Sequence, residues 1–310
     1  MKFVYTTDLH LYDRDISTRN DSSAETALTK LRFVVDTANS TGADYLLLGG
    51  DMFSERIDSP VYMASLIDIL RHCAARILTV VGNHDVVHRT TDGYKKRNLV
   101  VLRAAGVLDI LSDQLLPTLG ILGISAYDED IVDRIAGSAL RVNAVFAHHS
   151  IEHGTDRLVL SVAQLKKYLP NLRYIFSGHD HTEYPDMTIE GVVVIRPGSL
   201  LRTSTALENV TRAPLIVTGE TSADWSDLRY RKVIVPHQPA TAIFNLDTKA
   251  VTKSTEQQLD EFASALSGAS SGSTADGINI ESIVLSMAQE MGDPDLLQYV
   301  REDLSNLLSA

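Results

Sequence analysis

Five short polar motifs punctuate this chain, and each stands directly behind an apolar, strand-like run or within a residue or two of its end. In order they are Asp8-Leu9-His10, Gly50-Asp51, Gly82-Asn83-His84-Asp85, His148-His149 and Gly178-His179-Asp180-His181. In open α/β sheets the loops at the carboxyl ends of the strands converge on one crevice. A chain that places Asp, Asn and His at five such loops is therefore constrained to a layered α/β fold that gathers them at one point.

The intervening pattern agrees. Residues 3–6, 45–48 and 77–81 read as strands. Ser22 with Glu25 makes a capping box, after which Ala27, Leu28, Leu31, Val34, Val35 and Ala38 recur at helical spacing until Gly42 stops the turn. Ser59-Pro60 is an N-cap followed by proline at the first helical position, opening a helix to about His72. A further helix is expected over 95–105, strands over 121–126 and 142–147, a helix over 162–168 and a strand over 174–176.

Beyond residue 185 the pattern changes to paired strands at 192–195, 215–217 and 228–235, then 242–246. Residues 203–250 thus either close the sheet layer or form a small cap. Residues 251–277 read as a helix ending in a flexible Ser/Gly-rich linker. Behind it, 278–310 reads as a tethered helix pair, with Ile280, Ile283, Val284, Met287, Ala288 and Met291 on one stripe. Asp293-Pro294 then restarts a helix bearing Leu296, Leu297, Val300, Leu304, Leu307 and Leu308. Such a pair either folds back onto the core or keeps its apolar face for a partner.

No apolar run approaches the roughly 20 residues of a membrane span. Asp8 stands so near Met1 that a cleavable signal has no room, so a cytoplasmic protein is expected. The single cysteine, Cys73, agrees with a reducing compartment and reads as buried filler on the helix carrying Leu66, Ile67 and Leu70. The formal charge of -12 argues against a broad basic surface, although Arg89, Lys95, Lys96 and Arg97 form a local basic cluster.

The motif side chains are those of a two-metal phosphoesterase. Two divalent cations roughly 4 Å apart hold phosphoryl oxygens and make water nucleophilic at neutral pH. Such a pair needs one shared carboxylate, and Asp51 is the natural bridge. Asp8, His10 and His181 complete one sphere, and Asn83, His148 and His179 the other. Neighbours on a strand face opposite ways, so only one of His148 and His149 can join, and the expectation rests on His148. His84 stays off the metal as the group that protonates or stabilises the leaving oxygen, with Asp85 orienting its ring. Mixed nitrogen and oxygen donors favour Mn2+ or Fe2+, with Mg2+ as a further candidate. His72, His88, His153 and His237 lie outside the motifs and read as surface or structural residues.

These residues resemble the calcineurin-like metallophosphoesterase superfamily, whose pattern is Asp-x-His, Gly-Asp, Gly-Asn-His-Asp/Glu, His and Gly-His-x-His. Within it, Gly49-Gly50-Asp51-Met52-Phe53, Gly82-Asn83-His84-Asp85 and Pro197-Gly198-Ser199-Leu200-Leu201-Arg202 are similar to DNA repair nucleases of the SbcD and meiotic recombination eleven type, especially their shorter phage relatives. The resemblance covers 1–202 as the catalytic domain. It implies a two-sheet αββα sandwich with a small C-terminal cap, manganese as the usual ion, and exonuclease and endonuclease cleavage of DNA. It also implies a homodimer and docking of 278–310 onto a coiled-coil SMC-like ATPase. A phosphodiesterase or phosphatase acting on small molecules is the rival reading.

Overall fold

Strands buried on both faces read as continuous apolar runs, and here their two-residue period sorts side chains between two different cores. The computed structural model describes residues 1–111, 119–128, 141–154 and 158–245. Its strands begin with β1 (Lys2–Thr6), β2 (Tyr45–Leu48), β3 (Arg76–Thr79) and β4 (Asp109–Ile110). Next come β5 (Ile121–Ile124), β6 (Ala144–Ala147), β7 (Ser150–Ile151), β8 (Val159–Leu160) and β9 (Tyr174–Ser177). The last four are β10 (Met187–Ile189), β11 (Val192–Ile195), β12 (Leu215–Thr221) and β13 (Leu228–Ile234). The helices are α1 (Ser23–Thr41), α2 (Pro60–Arg71), α3 (Leu99–Ala104), α4 (Val162–Tyr168), α5 (Leu207–Thr211) and α6 (Ala240–Ile243).

One sheet runs β13-β12-β1-β2-β3-β4 and the other β10-β11-β9-β6-β5. Within the first, β1 to β4 are parallel, in register Phe3↔Tyr45 and Tyr45↔Arg76, while β12 pairs antiparallel to β1. In the second, β5, β6, β9 and β11 are parallel and β10 is antiparallel.

Phe3 and Tyr5 of β1, Leu47, Leu78, Phe146, Phe176, Ile195 and Val217 all face the space between the sheets, around the fully buried Trp225. Their neighbours in sequence, Val4, Leu46, Leu48, Ile77 and Ile216, face outward onto α1, α2 and α3. On the far side Val145, Ile175 and Val194 meet Val162 and Leu165 of α4. The layers are therefore helix, sheet, sheet, helix, the αββα sandwich expected from the sequence. All the parallel strands of a sheet point their carboxyl ends the same way, which sets the motif loops on one edge of the sandwich.

The α1 caps follow the sequence: Ser22 accepts from the Glu25 N–H, and Gly42 ends the helix in the left-handed region at φ 63°. Three expectations are corrected. The helix at 95–105 is broken into a 3-10 turn (Thr91–Lys96) and α3, because Arg97 is extended and the Asn98 amide pairs with both backbone groups of Ile57. Of the strand expected at 242–246, residues 242 and 243 end α6, Phe244 makes only an isolated bridge to Arg19, and residue 246 lies outside the described residues. Cys73 lies just past the α2 cap at His72 and is half-buried against the core rather than enclosed by it. Within 203–250, β12 and β13 extend the first sheet, so the described part of this segment closes a layer. The expected linker and helix pair, 251–277 and 278–310, lie outside the described residues. Among the described residues no helix is long and apolar enough to cross a membrane.

Candidate metal centre

The loops after β1 and β2 are zipped together before any side chain is considered. Asp8 N–H donates to Gly50 O at 3.1 Å, His10 N–H to Asp51 O at 3.0 Å and Leu11 N–H to Met52 O at 2.9 Å. To do this the backbone turns left-handed at Asp8 (φ 50°), His10 (φ 47°) and Asp51 (φ 44°), and His179 (φ 79°) does the same in its own loop. Asp and His tolerate that region better than most residues, and strain of this kind collects at functional sites. Two motif glycines are needed for close approach. At Gly50 (φ +91°) a Cβ would lie 2.5 Å from His148 Nδ1, and at Gly82 it would run into the Asp51 backbone nitrogen and Oδ1.

The side chains form two groups that share one carboxylate. Ligand atoms of Asp8, His10, Asp51 and His181 all lie within 4.8 Å of one another. His10 Nε2 is 2.8 Å from His181 Nε2 and 3.8 Å from Asp51 Oδ2. On the other side, His148 Nε2 stands 3.4 Å from the same Asp51 Oδ2. His148 Nε2 and His179 Nδ1 each lie 3.0 Å from Asn83 Oδ1. Of the His148-His149 pair, it is the His148 ring that enters the cluster. Its Nδ1 donates to Gly49 O at 2.8 Å, which turns Nε2 toward Asp51.

Electrostatics reinforce this grouping. Burial holds the Asp8 carboxyl above the usual range, with Asp51 adding to the effect and His148, His181 and Thr7 opposing it. Burial also opposes ionisation of Asp51, but His148, His10 and His84 together hold its carboxyl below the usual range. Burial lowers the His10 pKa to about 3, so its ring is neutral and ready to act as a ligand at pH 7. Burial acts against charge on His148 too, yet Asp51, Asp8 and the Gly49 carbonyl push its pKa up to about 10. Burial is the largest influence on all four groups, and the Asp51 charge acts on the other three, favouring the protonated form of Asp8, His10 and His148.

Asp85 does not orient His84. Its buried carboxylate accepts from the backbone N–H groups of Met52 (3.1 Å), Phe53 (3.1 Å) and Gly82 (3.0 Å), clamping the Asp51 loop to the Asn83 loop. The His84 ring is instead met by the Ser54 carbonyl, 3.1 Å from Nδ1, and its backbone N–H donates to Asp51 Oδ1 at 2.8 Å. The ring itself is exposed, 5.2 Å from the His10 ring. His153, read from the sequence as ordinary, stands behind the ligand loop with Nε2 3.0 Å from Asp180 Oδ2, while Ser150 Oγ donates to Asp180 Oδ1 at 2.9 Å. Thr7 was also missed; its hydroxyl donates to Asp8 Oδ2 at 2.7 Å. The Ser54 and Gly49 contacts are made by backbone carbonyls, which carry no residue-type signal.

Buried carboxylates, imidazole nitrogens and an amide oxygen suit divalent cations of the manganese, iron or magnesium type. Asp51, reaching both groups, fits a pair of them better than a single ion.

Residues 1–183 match the family model described as calcineurin-like phosphoesterase. No curated protein matches the sequence. Similar solved structures include an archaeal phosphodiesterase (15% identity over 76% of this chain and 99% of that one, TM-score 0.40). Another is TT1561 of Thermus thermophilus (12% identity, 76% and 99% covered, TM-score 0.45). A third is a dimetal phosphatase from Danio rerio (14% identity, 77% and 99% covered, TM-score 0.47).

Proposed function

Because the chain belongs to the calcineurin-like phosphoesterase family, we propose that it is a two-metal DNA nuclease subunit that works with a coiled-coil SMC-like ATPase in recombination or repair. At the family level it is a metal-dependent hydrolase of phosphoester bonds. The observation that carries the two-metal reading is Asp51, whose Oδ2 lies 3.8 Å from His10 Nε2 and 3.4 Å from His148 Nε2 and so faces both ligand groups.

When bound, the two cations, proposed to be Mn2+, hold phosphoryl oxygens and lower the pKa of water. Asp8, His10 and His181 would hold one and Asn83, His148 and His179 the other, with Asp51 shared. His84 is the proton donor. With Nδ1 against the Ser54 carbonyl, its Nε2 is directed away from that anchor and can give a proton to the leaving oxygen. Asp85 keeps Asn83, His84 and Asp51 in register by holding the backbone of both loops.

DNA as substrate is supported by the exposed position of His84 and by exposed His88 and Arg89 in the same loop. The resemblance of Pro197 to Arg202 to the nuclease branch points the same way. The net charge of -12 favours the second reading, a phosphodiesterase for small molecules, since an acidic surface repels a polyanion. Incubating manganese-loaded protein with bis-p-nitrophenyl phosphate and with labelled single- and double-stranded DNA separates them. Cleavage of both supports the nuclease. Turnover of the small ester without DNA cleavage, even with the ATPase added, supports the rival. The partner is tested by deleting residues 277–310: the proposal requires a folded, metal-binding protein that no longer co-purifies with the ATPase.

A further inference from the structure

The loop Ser199 to Arg202 is braced from one side by cations in a buried setting. Ser199 O accepts from Arg212 Nη1 at 2.6 Å, Leu200 O from Lys30 Nζ at 2.9 Å, and Leu201 O from Arg212 Nη2 at 3.1 Å. Arg202 O accepts from Arg19 Nη1. On the other side its first two N–H groups reach the metal centre: Ser199 N–H donates to His181 O at 3.1 Å and Leu200 N–H to Thr7 O at 3.1 Å. The approach is close, because a Cβ on Gly198 (φ +74°) would stand 2.7 Å from His181 O. His181 belongs to one ligand group, and Thr7 immediately precedes Asp8 of the same group.

We propose that Lys30, Arg19 and Arg212 are positioning residues, which hold the 199–202 loop so that it fixes the backbone under Asp8 and His181. The proposal rests on the two-metal reading of the site. Stability alone does not account for Lys30. Lys30 is 4% exposed and shares the buried face of α1 with Ala27, Leu31 and Val34, where an apolar side chain would pack without a desolvation cost. It sits among Arg19, Arg202 and Arg212; burial depresses its pKa well below the usual lysine value, those three arginines deepen the effect, and Asp21 opposes it. Asp21 is itself engaged by Arg19, through Nε at 2.8 Å and Nη2 at 2.7 Å. What the guanidiniums of Arg19 and Arg212 supply is polarisation, and Lys30 supplies an N–H donor to Leu200 O. A charged donor on a peptide carbonyl strengthens the hydrogen bonds of the linked peptide groups, and hydrogen bonds in series reinforce one another.

The test is manganese titration calorimetry with thermal melting of the full chain carrying Lys30→Met, beside Val34→Ala as a packing control on the same helix. The expected result separates two readouts that a packing role would move together. Lys30→Met should melt no lower than wild type, while one of the two manganese sites weakens about 10-fold, the low end for losing an outer support of a metal ligand. Val34→Ala should melt lower with both affinities kept. Lower melting of Lys30→Met with unchanged affinities, or equal weakening of both sites, would overturn the proposal. A wild-type protein that takes up no manganese would overturn the two-metal reading instead. If Lys30→Met does not fold, Arg212→Lys supplies the same test without metal. Amide hydrogen exchange at Ser199 and Leu200 should accelerate about 10-fold while the β1 amides stay protected, and unchanged exchange there refutes the proposal.

Discussion

Replacing His84 with alanine isolates the proposed proton donor from the machinery that holds metal. The His84 backbone N–H, which donates to Asp51 Oδ1 at 2.8 Å, survives the substitution. The ring is exposed and its Nδ1 meets the Ser54 carbonyl at 3.1 Å, so its loss should cost at most about 1 kcal/mol of stability. That corresponds to roughly 2 to 4 °C in Tm for a domain of this size. The catalytic loss is of another order. A general acid contributes about 10²- to 10⁴-fold, or about 2.7 to 5.4 kcal/mol of barrier. The loss should also depend on the leaving group, because p-nitrophenolate departs as a stable anion whereas a sugar alkoxide needs its proton. We expect kcat/KM to fall about 10-fold or less on bis-p-nitrophenyl phosphate and about 100-fold or more on a thymidine dinucleotide. Steady-state kinetics on both esters, with manganese calorimetry and melting of the same samples, measure all of this. Equal losses on the two esters would show that His84 binds the phosphoryl group and does not protonate the leaving oxygen. No loss on either would remove His84 from the chemistry.

Asp85→Ala leaves three buried backbone N–H groups without their acceptor, at about 1 to 3 kcal/mol each, so urea unfolding should report a loss of at least about 3 kcal/mol. A loss under about 1 kcal/mol would mean the clamp is not formed. Trp225→Ala opens a cavity between the sheets, where the indole lies 4.9 Å from Phe3 and 5.4 Å from Phe146 by ring centroid. It should cost about 3 to 5 kcal/mol in the same assay while leaving manganese affinity unchanged. Chelation should lower Tm by about 5 °C or more relative to protein held at 100 times the metal Kd, since one such site contributes about 2.7 kcal/mol. An unchanged melting curve would count against a built metal centre.

Much of the fold was legible because its signals are local. The Ser22 and Gly42 caps, the proline opening α2 and the apolar runs of β1, β2, β9 and β11 each act within a few residues of themselves. The strand expected from residue 242 gave way to a helical turn at 242 and 243, because a short apolar run carries no period long enough to exclude one. The helix at 95–105 failed for a different reason, since Asn98 bonds to Ile57, 41 positions away. Asp85 was misread for a similar reason: sequence adjacency to His84 suggested a partner, whereas three N–H groups from two loops had the stronger claim on a buried carboxylate.

The order of residues alone determined which donors this chain owns and which strand carries each, because ligand chemistry and the two-residue alternation belong to short stretches of chain. Only the folded molecule decided how near Asp51 Oδ2 comes to His10 and His148, that backbone carbonyls of Gly49 and Ser54 aim the His148 and His84 rings, and that Lys30 turns from a helix face toward Leu200. Those choices depend on contacts such as the His179 N–H to Asp8 hydrogen bond, which spans 171 positions, and such a pairing exists only once the layers have packed.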